Sequence, residues 1–329
     1  MSAVGSPAAG WAGRLAACEL CPRRCGANRL AGRRGACGAG AEAEVYRYGP
    51  HHGEEPPISG VRGSGTVFFS RCTLACLYCQ NYRWSQEGEG RARSVGQLAG
   101  LFGELVADGC HNVNLVSPTP WLPHVAAALD EAAAVGVRPR VVYNTSGYER
   151  LETLEDYGAR VDVFLTDLRY ASPASAEEGS GRSDYVEVAR RALAEMWRRN
   201  GPLELDGEGT AVRGTICRVL VLPGRAGEAV DSLRWIARHI GTDVPVSLMA
   251  QYTPAYRAPG RGVWGRRITA GEYATVCAEL EQLGFANGWV QEFEEDPEPA
   301  LAGFRMQPGK GAVAEKGLQD ARSKTGEER

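Results

Sequence analysis

The chain has 329 residues, 43% hydrophobic and 23% charged, a balance that excludes a disordered or fibrous chain and suits a folded domain with a sizeable core. A net charge of −3 gives no electrostatic ground for a nucleic-acid partner. No run of about 18 uninterrupted apolar residues occurs, so no membrane helix is expected, and the opening MSAVGSPAAGWAGRLAAC lacks the apolar centre of a secretory signal; the expected location is the cytoplasm.

In chain order, residues 1–16 are expected to be disordered. Residues 17–65 form a Cys-rich segment with Cys18, Cys21, Cys25 and Cys37. In a reducing compartment such cysteines are better metal ligands than disulfide partners. Four thiolates complete a zinc site or an iron–sulfur cluster, and the spacing leaves that choice open. Arg23, Arg24, Arg29, Arg33 and Arg34 make the segment basic, which reads as a solvated face or as a dock for an acidic protein. Residues 38–65, with HHGEEPPISG at their centre, read as irregular.

From Thr66 short β-branched or aromatic runs alternate with amphipathic stretches, the pattern of βα units around a mainly parallel sheet. Six strands are expected, at 66–69, 112–116, 140–143, 161–166, 216–222 and 244–249. Ser94 with Gln97, and Thr269 with Glu272, are capping boxes opening two helices. A third helix is expected over 186–199, SPASAEEGSGRSD reads as a polar loop, and LELDGEGTAV as a hairpin around Asp-Gly. The core is expected to end near residue 295, and 296–329 to be a largely disordered tail.

Polar, Gly- or Pro-marked stretches follow the strands: CTLACLYC, SPTP, NTSGY, TDLR and AQYTP. In (β/α) barrels that end carries the active site. The first of these holds Cys72, Cys76 and Cys79, three thiolates where a closed cluster needs four, so one metal position is left open as in a catalytic zinc site.

The spacing C-x3-C-x2-C, with aromatic Tyr78 before the last cysteine, resembles the signature of the radical S-adenosylmethionine (SAM) superfamily. The blocks CELCPRRCGANRLAGRRGACG, CTLACLYCQNY, NLVSPTPWLP, YNTSGYE, VDVFLTDLRY, RVLVLPG, SLMAQYTP and NGWVQE resemble an uncharacterised subgroup labelled homologues of the pyruvate formate-lyase-activating enzyme. The resemblance implies an α/β fold, a partial (β/α)6 TIM-like barrel over 66–295. It implies a [4Fe–4S] cluster on Cys72, Cys76 and Cys79 that reductively cleaves SAM to a 5′-deoxyadenosyl radical, which takes hydrogen from a substrate. It puts Tyr78, Thr119, Asn144, Ser146, Asp167 and Arg218 near the cofactors, Thr119 standing in for the Gly-Gly-Glu that many members place after the second strand. Asp167 and Arg169 are equally readable as a buried ion pair. The implied partners are a flavodoxin- or ferredoxin-like electron donor and, for a glycyl-radical activase, a protein substrate. The alternative is a non-catalytic zinc or iron–sulfur binding protein on a degenerate barrel.

Overall fold

A computed structural model describes residues 13–294; of the disorder expected over 1–16 and 296–329, residues 1–12 and 296–329 lie outside the described residues, while 13–16 are helical and not disordered, because Leu15 is buried and its carbonyl accepts from Arg29 N at 2.8 Å. Ten strands form one sheet among these residues: β1 (Ala43–His51), β2 (Ser64–Phe69), β3 (Arg91–Arg93), β4 (Val113–Val116), β5 (Val141–Thr145), β6 (Val163–Asp167), β7 (Glu204–Leu205), β8 (Ala211–Leu220), β9 (Val246–Met249) and β10 (Gly288–Val290). The order is β10-β9-β8-β6-β5-β4-β2-β1-β3, with β7 hairpinned onto β8. Neighbouring strands from β2 to β10 along this path are parallel, while β1 runs antiparallel to both β2 and β3. The sheet ends on β10 and β3 and is not closed, so the fold is an open α/β barrel.

All six residues of β2 and all five of β5 are buried, as strands covered on both faces must be. The connecting helices include α3 (Val95–Ala107), α4 (Leu122–Ala134), α5 (Leu151–Tyr157), α6 (Pro173–Ser180), α7 (Tyr185–Asn200), α8 (Ala226–His239) and α9 (Ala270–Gln282). They follow two shorter helical turns, α1 (Pro56–Ser59) and α2 (Tyr82–Ser85). Both capping boxes form: Ser94 Oγ accepts from Gln97 N at the start of α3, and Thr269 Oγ1 from Glu272 N at the start of α9. α7 spans the stretch expected to be helical.

Three expectations are corrected. Residues 38–65 are not all irregular: 43–51 form the nine-residue β1, in which Ala43, Val45, Tyr46 and Arg47 are buried. The alternation is broken by Gly49 and Pro50, which hid the strand in the sequence. SPASAEEGSGRSD contains helix α6, because Ser172 caps it, Pro173 opens it and Gly181 at φ +66° closes it. Those end signals outweigh the polar composition. A seventh parallel strand, β10, is too short and too exposed to be visible as an apolar run.

Candidate functional site

The loop after β2 is held from several sides. Leu74, Leu77 and Tyr78 are buried, and the Tyr78 ring stacks on Trp264 at 5.4 Å and leans on Tyr252 at 5.3 Å. Leu77 N donates to Gly179 O (2.9 Å), Arg257 N to Leu77 O (2.9 Å), and Gln86 Nε2 to Leu74 O (2.9 Å). Gly179 is required here, since a Cβ would meet Tyr170 Oη at 2.5 Å and Trp264 at 2.9 Å.

Each thiol on this loop has a polar neighbour or a burial signature. The hydroxyls of Tyr78, Tyr170 and Ser180 form a chain (2.7 and 2.6 Å) that ends on Cys76 Sγ at 3.1 Å. Arg169 Nη1 donates to the same sulfur at 3.1 Å, while its Nη2 pairs with Asp167 Oδ2 at 2.6 Å. Cys79 Sγ lies 3.2 Å from Ser85 Oγ. Burial pushes the Cys72 thiol up to about 11 and the Cys79 thiol up to about 12. Buried thiols of this kind ionise when a metal takes them, so loading releases protons.

Cys76 and Cys79 open on a cavity of about 230 Å³ at the C-terminal ends of the parallel strands. Of the residues expected near the cofactors, Tyr78, Asn144, Ser146, Asp167 and Arg218 line it. Ser146 sits in a turn that needs Gly147: its φ is +79°, and a Cβ there would lie 2.4 Å from Asp167 O. Cys72 is partly buried and is not among the residues that line the cavity. Asp167 and Arg169 form the ion pair that the sequence allows.

Two expected contacts are placed otherwise. Thr119 lies off the cavity, buried, with its hydroxyl on Glu149 Oε1 (2.7 Å) and near Tyr143 Oη. Arg218 points into the barrel, but two carboxylates already hold it: Glu55 at 2.6 and 2.7 Å, and Glu54. Glu54 Oε1 also accepts from Asn114 Nδ2 at 3.0 Å and lines the cavity with His51, which burial holds below its ordinary pKa. The stretch HHGEEPPISG thus supplies the cavity's acidic wall, and sequence reasoning missed it. The available signal was Arg218 itself: a guanidinium inside the apolar run CRVLVL must find a carboxylate.

Glu149 is also buried, and its Oε2 has no partner among the described residues. Burial raises its pKa to about 7.

Among the described residues no three His, Cys, Asp or Glu side chains converge as the ligands of one metal ion. A cubane does not ask for that. Each thiolate takes a different iron, so the sulfurs must ring a common space and need not share a point. Cys76 and Cys79 border one cavity, and Cys76 acts electrostatically on both Cys72 and Cys79. The donor set therefore suits an iron–sulfur cluster.

The first cysteine group lies beside this loop. Cys18 pairs with Ala27 in a short bridge, and Arg24 N returns to Cys21 O at 3.0 Å. Thr153 Oγ1 donates to Leu20 O (2.8 Å) and Arg150 Nη1 to Glu19 O (2.7 Å), tying the segment to α5. Of the basic run, Arg24, Arg33 and Arg34 are exposed. Arg29, expected on a solvated face, is fully buried, and Arg23 Nε donates to Thr73 O (2.6 Å) in the cysteine loop.

No helix among the described residues is long and apolar enough to cross a membrane. The chain is 27% identical over 260 residues to an uncharacterised protein of Methanocaldococcus jannaschii, covering 77% of this chain and 70% of that one. Among solved structures it is similar to Streptococcus suis SuiB bound to S-adenosylmethionine, at 13% identity and TM-score 0.44, over 67% of this chain and 48% of that one. It is also similar to anSMEcpe with bound AdoMet and the Cp18Cys peptide, at 10% identity and TM-score 0.45, over 69% and 57%. The chain thus spans about half the length of these two structures. The family model described as the radical SAM superfamily matches residues 66–202, which hold the 72–79 loop and the ends of β4, β5 and β6. Residues 66–202 of this chain thus match a radical SAM domain.

Proposed function

We propose that this chain is a radical SAM enzyme that cleaves SAM reductively and takes a hydrogen atom from a substrate. The observation that carries the reading is the meeting of Cys76 and Cys79 with Asn144, Ser146 and Asp167 around one cavity at the strand ends. Cys72, Cys76 and Cys79 would hold the [4Fe–4S] cluster, which when bound supplies one electron to SAM, giving methionine and the 5′-deoxyadenosyl radical.

The chain's own residues do the positioning. The Tyr78–Tyr170–Ser180 hydroxyl chain and Arg169 fix Cys76, and the Tyr78–Trp264 stack fixes the loop. Asn144 and Ser146 offer polar groups on the rim for the polar ends of SAM. Arg218 is held by Glu54 and Glu55 and so serves the wall; Asp167 and Asn144 remain the nearer candidates for SAM. The buried aromatic packing behind the loop keeps water from a reactive intermediate.

The reading extends to three further elements: a second metal at Cys18, Cys21, Cys25 and Cys37; an acidic flavodoxin- or ferredoxin-like donor docking on the exposed Arg24, Arg33 and Arg34; and, as one branch, a glycine of a protein partner as hydrogen source. A reduction rate that falls as salt rises supports the docking surface. Anaerobic protein with a full cluster, dithionite and SAM is expected to yield 5′-deoxyadenosine and methionine in equal amounts. A full cluster with no such products would favour a non-catalytic metal-binding protein.

A further inference from the structure

The first cysteine group contains a feature that its spacing alone does not announce. Arg29 is 0% exposed and sits inside the group. Its Nε donates to Gly40 O (2.7 Å) and its Nη1 to Pro120 O (2.6 Å), with Cys18 Sγ 3.9 Å from Nη1. The guanidinium lies over the Trp121 ring at 4.8 Å. Nη2 is buried and has no hydrogen-bond partner, and no carboxylate pairs with Arg29 among the described residues. A buried cation without a counter-charge is costly, so something anionic is owed to it. The groups it faces are thiols: its charge acts on Cys37 as well as lying beside Cys18.

The cysteines themselves are arranged as acceptors. The backbone N–H groups of Arg23, Ala27 and Ala39 face the sulfurs of Cys21, Cys25 and Cys37, each two residues on, against a burial that disfavours the thiolates of Cys21 and Cys37. Leu74 does the same for Cys72 in the catalytic loop. Amides pointing at sulfur stabilise thiolates and tune the metals they hold. Gly26 and Gly38, directly after Cys25 and Cys37, have φ of +61° and +79°, which turns the chain around each sulfur. Gly35 faces Cys25 and Cys37 together: a Cβ there would lie 3.5 and 3.6 Å from the two sulfurs.

Zinc would draw four sulfurs to about 2.3 Å from one point. No three ligands converge in that way among the described residues. A polynuclear cluster spreads its thiolates over separate irons, which suits sulfurs that face a shared space. We infer that Cys18, Cys21, Cys25 and Cys37 hold a second iron–sulfur cluster whose negative charge Arg29 neutralises. This deepens the second-metal part of the function proposed above and rests on it. The cluster would lie directly against the catalytic loop: Cys37 acts electrostatically on Cys72, Gly38 packs on Arg71, and Arg23 holds Thr73 O.

The test uses the full chain, purified without oxygen, carrying Cys72→Ala, Cys76→Ala and Cys79→Ala. Iron, zinc and acid-labile sulfide are counted per chain. The expected result is about two or about four irons with matching sulfide, as one cluster requires. Adding Cys18→Ala and Cys21→Ala should remove them. One zinc and no iron would overturn the cluster while leaving a second metal; neither metal would overturn the second-metal reading as well, and neither result touches the SAM chemistry of the other loop. Arg29→Gln and Arg29→Lys, made in the same triple variant, separate charge from packing. Both lose the forked bonds to Gly40 and Pro120, but only Lys keeps a cation. Iron release to a chelator is expected to be on the order of tenfold faster for Gln than for Lys. Equal release rates would overturn the counter-charge role.

Discussion

The loop over 72–79 and the segment over 18–37 both carry the cysteines proposed as metal ligands, and they differ in almost every other respect. The loop has three thiols, hangs from a parallel strand and opens on a cavity. The segment has four and builds no regular strand or long helix over 18–37; its sulfurs are met by its own amides and by the buried Arg29. On the function proposed above, one region would leave a coordination position for chemistry, and the other would close its own set with Arg29 as its counter-charge. The lesson is that ligand count alone separates a reactive centre from a self-sufficient one only when the surroundings are read with it.

The largest effect that would break this contrast is at the loop. Cys76→Ala should abolish 5′-deoxyadenosine formation to background, while iron bound at the first group stays; product assay and iron counting on one sample check both. Next comes the packing that holds the loop. Trp264→Ala removes the stack on Tyr78 and the cation–π contact of Arg225 at 4.0 Å, and should cost about 3–5 kcal/mol in denaturant unfolding.

Glu149, buried against the hydroxyls of Thr119 and Thr145, is the next probe. Its pKa is raised to about 7 from 4.5, so between these values the unfolded chain has lost the proton and the folded chain keeps it. Stability should therefore be greatest below pH 4.5 on this account, fall as pH rises toward 7, and level off above. The span is at most roughly 3–4 kcal/mol. Glu149→Gln should flatten that slope, measured as the difference in unfolding free energy between the two proteins at pH 5 and pH 7.5. The smallest effect joins the regions: Arg23→Ala, losing the 2.6 Å bond to Thr73 O, should cost about 1 kcal/mol and loosen amide-exchange protection in the 72–79 loop.

Much of this molecule is legible in its sequence because repetition carries it. The βα rhythm and the two capping boxes each state a local rule that the fold obeys. What escaped is what depends on distant partners. β1 is hidden by Gly49 and Pro50 and is defined by its pairing with β2 and β3. Glu54 and Glu55 look like part of a turn until Arg218, more than 160 residues on, meets them. Arg29 looks like one of five surface arginines until the barrel covers it, with Pro120 and Trp121 as its contacts. Thr119 sits on the expected loop, yet its hydroxyl turns toward Glu149 and away from the cavity. Spacing names residues, and burial assigns what they face.

The most direct test of the account is whether SAM touches the cluster on Cys72, Cys76 and Cys79. Electron–nuclear double resonance on the reduced protein, with SAM labelled by 17O in the carboxylate and 15N in the amino group, reads that contact. The account predicts hyperfine coupling from both labels that disappears when the triple cysteine variant is used. A fully formed cluster on the wild-type chain with no coupling from either label would contradict it.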